Sequence, residues 1–127
     1  MKDFTSLFRL QYIGVFSVII TALVFFSNIS NAANYGIADS STVKEWILKG
    51  ALIVDVRTPE EFNAGNYKAS INIPLAELEK NISRFGDKEK LIIVYCRSGN
   101  RSSQAKLILE KYGYKNVLNG GALADIP

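Results

Sequence analysis

Two short runs, Ala51-Leu52-Ile53-Val54-Asp55-Val56 and Leu91-Ile92-Ile93-Val94-Tyr95, are apolar and rich in β-branched residues at nearly every position. A half-buried strand alternates apolar and polar residues, because its side chains point to opposite faces in turn. An unbroken apolar strand needs cover on both faces, and helices flanking a parallel sheet supply it. The chain is therefore constrained to place helices between and around these runs.

The intervening residues have that character. Thr42-Val43-Lys44-Glu45 has the form of a capping box, with Thr42 as the cap and Glu45 reaching back. Val43, Trp46 and Ile47 follow at helical spacing, and Gly50 ends the element. Thr58-Pro59-Glu60-Glu61 predicts a second short helix, capped by Thr58, with Pro59 at the first helical position and Gly65 as the stop. Ala69–Ile73 reads as a brief extended segment ending at Pro74. Leu75, Leu78, Ile82 and Phe85 then make one apolar helical face closed by Gly86. Ala105, Ile108, Leu109 and Tyr112 predict a helix from Ser102 to Tyr112, stopped by Gly113. Val117-Leu118 reads as a last short strand before Gly120-Gly121. Trp46, Phe62, Phe85 and Tyr95 fit core positions. The alternation predicts an α/β fold: a small parallel sheet with helices on both faces, in one domain.

That domain begins after a different kind of segment. Lys2 and Arg9 precede a largely apolar run, Leu10–Phe26, and Ser30-Asn31-Ala32 places small residues where a signal peptidase reads them. The expectation is a signal peptide over 1–32, an exported domain over 33–127, and a periplasmic location without stable membrane insertion after cleavage. The alternative is a retained membrane anchor, although the run is shorter than the about 20 residues that span a bilayer.

Composition removes several function classes. The net charge is +3 and no basic run or stripe occurs, so a nucleic-acid surface is not indicated. A weakly positive domain is compatible with small anionic substrates. There is no histidine, which excludes Cys-His and Ser-His-Asp catalysis and most zinc sites. Cys96 is the only cysteine, so no disulfide forms within the chain, and an exported odd thiol is either paired outside it or used chemically.

Cys96-Arg97-Ser98-Gly99-Asn100-Arg101-Ser102 lies between the end of an apolar strand and the start of a helix. Ligands of open parallel sheets bind outside the carboxyl ends of strands. A loop turning there into a helix offers unpaired N–H groups backed by the helix dipole. Gly99 permits the positive φ that a tight cradle needs, and Arg97 and Arg101 add charge. Such surroundings lower a thiol's pKa and favour the reactive thiolate. The same donors suit a sulfur oxyanion or the terminal sulfur of a persulfide.

Four segments in order resemble single-domain rhodaneses. They are the strand ending Asp55-Val56-Arg57 with Glu60-Glu61-Phe62, the segment Ala69-Ser70-Ile71-Asn72-Ile73-Pro74, the loop Cys96 to Ser102, and the close Val117-Leu118-Asn119-Gly120-Gly121. Gly65-Asn66 stands where that family commonly has Gly-His, and Ser70 where it usually has Ala. The resemblance implies a rhodanese-like fold and a sulfurtransferase in which Cys96 is the sulfur-accepting nucleophile. Arg97, Ser98, Gly99, Asn100, Arg101 and Ser102 would bind substrate. It also implies thiosulfate as the small anionic donor and cyanide or a thiol as the thiophilic acceptor. No cofactor and no metal are required, because sulfur itself is transferred.

Behind the loop, Asp55 is placed to pair with Arg101, and Arg57 with Glu61. The plainer alternatives are a strand-end cap for Asp55 and a solvated surface charge for Arg57. Two other functions compete. A persulfide carrier would pass its sulfur only to a thiol-bearing protein partner. A cysteine-dependent phosphatase would need five residues between Cys and Arg, and here four separate Cys96 from Arg101.

Overall fold

In the computed structural model the described residues are Tyr35–Pro127; the expected signal segment, 1–32, lies outside them. The elements run α1 (Ser40–Leu48), β1 (Leu52–Asp55), α2 (Pro59–Ala64), β2 (Ile71–Asn72), two 3-10 segments (Leu75–Glu77 and Glu79–Phe85), β3 (Leu91–Cys96), α3 (Asn100–Lys111), β4 (Asn116–Ala122) and a final 3-10 turn (Leu123–Asp125). The four strands are parallel in the order β2-β1-β3-β4. The two unbroken apolar runs are the two central strands, as their two-sided burial requires.

Alternation along those strands divides the core in two. Val54, Ile92, Val94 and Cys96 face α3 and the 3-10 segments, packing with Ala105, Leu109, Leu78, Phe85 and Tyr114. Ile53, Ile93 and Tyr95 face the other way, toward Val43, Trp46 and Ile47 of α1 and Ile126. Each fully buried aliphatic or aromatic side chain contributes about 1.5–3 kcal/mol relative to exposure. Helices thus cover both faces, and the carboxyl ends of the strands open onto the loop after Cys96.

Local physics changes three details of the sequence reading. First, the cap of α1 is Asp39, not Thr42. Its carboxylate accepts from the Thr42 N–H at 3.0 Å and the Thr42 hydroxyl at 2.7 Å, so the helix starts earlier. Glu45 is drawn forward to Lys49, one turn on. Second, Leu75–Phe85 is not one helix. Asn81 leaves helical geometry (φ −109°, ψ 20°), and its side-chain amide donates to the Glu77 carbonyl at 2.9 Å. The apolar face survives because Leu78 and Phe85 still reach the core. Third, the last strand is longer than Val117-Leu118 and runs through both glycines. Its register against β3 shifts between Val94 and Cys96, a bulge at the glycine pair. A Cβ at Gly120 would lie 2.7 Å from Ile126 Cδ1 and 2.9 Å from Ile93 Cγ2, so the strand passes there only without a side chain.

The helix expected at Thr58 forms as read. Thr58 and Glu61 make a reciprocal capping box with Pro59 at the first position.

Candidate active site

β3 delivers Cys96 into the carboxyl end of the sheet, and α3 begins four residues later. Between them Gly99 adopts φ +91°, which folds the loop back over the sulfur. A Cβ at Gly99 would also lie 2.7 Å from Ile37 Cδ1, so the segment before α1 closes the loop's flank. Cys96 itself is buried. Its Sγ accepts from Gly99 N–H at 3.1 Å and lies 3.4 Å from Ser102 Oγ.

Burial alone pushes the Cys96 thiol up, since it penalises the charged form. The Ser102 hydroxyl and the N–H groups of Ser102, Ser98 and Gly99 together outweigh that, and the net effect lowers its pKa. Local donors therefore favour the thiolate, the nucleophilic form. The two arginines expected to help are engaged differently. Arg97 is exposed, as are Ser98 and Asn100. Arg101 is half-buried and forks onto Glu61, with Nη1 donating to Oε2 at 2.7 Å and Nη2 to Oε1 at 2.9 Å. That fork holds Glu61 down at about 2, chiefly through the Arg101 hydrogen bonds and then the Thr58 N–H.

The ion pairs behind the loop are exchanged relative to the sequence reading. Asp55 binds Arg57, not Arg101, and Glu61 binds Arg101, not Arg57. Asp55 is fully buried. It accepts from Arg57 N–H at 2.9 Å, from Nε at 3.0 Å and from Nη2 at 2.6 Å. Arg57 Nη2 also donates to the Gly65 carbonyl at 2.6 Å, and its guanidinium lies 5.8 Å from the centre of the Tyr95 ring. Arg57 is thus a buried staple between the end of β1 and the end of α2, not a solvated charge. The reason is reach: two residues past Asp55, the guanidinium folds back onto its own strand, leaving Glu61 on α2 to face the loop.

One organising residue was not singled out in the sequence. Asn119, 1% exposed, donates from Nδ2 to the Gly99 carbonyl at 3.0 Å and the Tyr35 carbonyl at 2.8 Å. Its Oδ1 accepts from the Ser102 hydroxyl at 2.6 Å and from Gly121 N–H at 3.0 Å. The available signal was an asparagine in a strand, where that residue is disfavoured. Ser102, expected to face substrate, is fully buried beneath the loop between Asn119 and Cys96.

The rhodanese-like domain profile matches residues 39–124. The chain belongs to the rhodanese family. It is 43% identical over 74 residues to the thiosulfate sulfurtransferase PspE of Escherichia coli, covering 58% of this chain and 71% of that protein. It is 32% identical over 111 residues to the thiosulfate:glutathione sulfurtransferase of Saccharomyces cerevisiae, covering 77% of this chain and 80% of the relative. Among solved structures, a rhodanese with anions from E. coli superposes with a TM-score of 0.57 at 40% identity, over 61% of this chain and 94% of that one. Membership in this family makes sulfur transfer, in general, the chemistry of the chain.

Proposed function

We propose that this rhodanese takes the outer sulfur of thiosulfate onto Cys96 as a persulfide and passes it to cyanide or a thiol. The observation that supports this reading best is the buried Sγ under Gly99 N–H and beside Ser102 Oγ, with its pKa lowered by those donors. In the first step the Cys96 thiolate attacks the outer sulfur of the donor. The new Sγ–S bond forms as the bond to the sulfonate sulfur breaks, and that electron pair leaves with sulfite. Loop N–H groups and the amino end of α3 then face the negative terminal sulfur. In the second step the acceptor's lone pair bonds to that outer sulfur, and the Sγ–S electrons return to Cys96 as thiolate.

Arg97, Ser98 and Asn100, exposed on the loop, are the residues that meet the incoming anion. Arg101 contributes by holding the loop to α2 through Glu61. The loop, one residue shorter between Cys and Arg than a phosphatase cradle, favours a sulfur atom over a tetrahedral phosphate. The yeast relative's name supports a thiol as acceptor. The N-terminal charge, apolar run and Ser30-Asn31-Ala32 support export and cleavage after Ala32; N-terminal sequencing of the protein recovered from cells tests that point.

Two-step covalent transfer produces ping-pong kinetics. Initial rates of thiocyanate formation, with thiosulfate and cyanide both varied, are expected to give parallel double-reciprocal lines, and Cys96→Ser none above background. Intersecting lines, or activity retained in Cys96→Ser, would overturn the persulfide mechanism.

A further inference from the structure

The Ser102 hydroxyl stands between two acceptors and owns one proton. It lies 2.6 Å from Asn119 Oδ1 and 3.4 Å from Cys96 Sγ, and all three residues are buried. The orientation of the Asn119 amide is fixed, because its nitrogen meets two carbonyls and its oxygen meets the Gly121 N–H. Toward Asn119 the hydroxyl therefore donates. With its proton so committed, a neutral Cys96 thiol is the donor to Ser102 Oγ. A thiolate has no proton to give, so the hydroxyl serves it only by turning away from Asn119. Turning strands no acceptor, since Asn119 Oδ1 keeps the Gly121 N–H at 3.0 Å. That second partner removes the usual penalty for a buried polar atom left alone.

We infer that the Ser102 hydroxyl alternates between Asn119, while Cys96 is a thiol or carries the persulfide, and Sγ, while Cys96 is a thiolate. Ser102 is then a catalytic residue touching the reacting sulfur, and Asn119 is a positioning residue behind it. The inference rests on the persulfide cycle proposed above and gives its two halves opposite sensitivities. In the persulfide, Sγ is bonded to carbon and sulfur and is a poor acceptor. When the acceptor's lone pair takes the outer sulfur, the Sγ–S electron pair collapses onto Sγ. The hydroxyl swings to that pair without giving up its proton. Departure of the thiolate is eased, because a leaving thiol of lower pKa leaves faster. In loading, the thiolate gives up the same hydrogen bond as it attacks, and nucleophilicity falls as pKa falls. The hydroxyl thus favours discharge and restrains each attacking thiolate.

The test compares Ser102→Ala, Ser102→Thr and Ser102→Val with the wild type, each checked for folding by circular dichroism. Iodoacetamide alkylation of Cys96 against pH reads the thiolate without any sulfur donor. In Ser102→Ala the profile is expected to move up by about one pH unit, the effect of one charge-assisted hydrogen bond. Below the profile a roughly tenfold loss of thiolate, offset by its greater nucleophilicity, then slows alkylation about threefold. At pH above the profile, single-turnover loading from thiosulfate is expected to rise about threefold, following a Brønsted slope of 0.4–0.5, while discharge to cyanide slows. Ser102→Thr restores all three readings. Ser102→Val, which keeps the shape of threonine without its hydroxyl, moves them as Ser102→Ala does and serves if that variant does not fold.

An unmoved alkylation profile in a folded variant, or two half-reactions slowed together, would overturn the alternation. A wild type that alkylates as expected but never loads sulfur instead sinks the persulfide reading. In that case the hydroxyl–thiolate contact stands and its role in discharge falls.

Discussion

Removing Asp55 is expected to damage the fold far more than removing any exposed charge. Asp55 and Arg57 have side chains 0% and 9% exposed, and Asp55→Ala strips Arg57 of the acceptor for its main-chain N–H, Nε and Nη2. Breaking a buried pair from one side costs about 3–5 kcal/mol, because the remaining charge stays desolvated without its counter-charge. A domain of about ninety residues has roughly 5–14 kcal/mol of stability in total. At about 4–8 °C per kcal/mol, the melting temperature falls by about 12–40 °C. Glu61→Gln, by contrast, loosens a fork whose side chains are 29% and 32% exposed, and is expected to cost only about 1 kcal/mol. Urea unfolding of single and double mutants measures the couplings, since urea carries no charge to screen the pairs. Asp55 is expected to couple strongly to Arg57 and negligibly to Arg101. A larger coupling of Asp55 to Arg101 than to Arg57 would refute the reasoning.

Two further outcomes follow from the loop. Glu61 is held at about 2 by Arg101 and the Thr58 N–H. Because the folded value lies below the ordinary one near 4.5, the fork's contribution is complete above about pH 4.5. It disappears as pH falls toward 2. Urea midpoints measured from pH 7 down to pH 2 should fall through that window in the wild type, with the decline lessened in Glu61→Gln. Gly99→Ala combines a φ of +91° with a Cβ 2.7 Å from Ile37 Cδ1. It is expected to cost about 1–3 kcal/mol from the backbone alone and to slow Cys96 alkylation as the cradle opens. Adding Ile37→Ala should relieve the crowding but not the backbone strain, which thermal melts of the single and double mutants would show.

The sheet and the loop were legible in the sequence because each rests on a local, one-sided requirement. Nearly unbroken apolar runs at 51–56 and 91–95 admit few environments, and Thr58-Pro59-Glu60-Glu61 carries its own capping chemistry. Gly99 was readable for the same reason: a loop turning sharply into a helix needs a residue at ease with positive φ. The ion pairs were not legible. Asp55, Arg57, Glu61 and Arg101 can be matched in more than one way, and side-chain reach in the folded chain chooses between them. The role of Asn119 is not legible in the sequence because its partners, Gly99, Ser102 and Tyr35, lie up to 84 positions away. The cap of α1 is Asp39 rather than Thr42 because Asp39, Ser41 and Thr42 all suit a helix start, and the carboxylate gathers donors from the other two.

The most direct measurement is the intact mass of the reduced protein before thiosulfate, after it, and after subsequent cyanide, beside Cys96→Ser. Gain of one sulfur atom by the wild type alone, reversed by cyanide with release of thiocyanate, is the expected result. A mass unchanged by thiosulfate, or an equal gain in Cys96→Ser, would contradict a persulfide on Cys96.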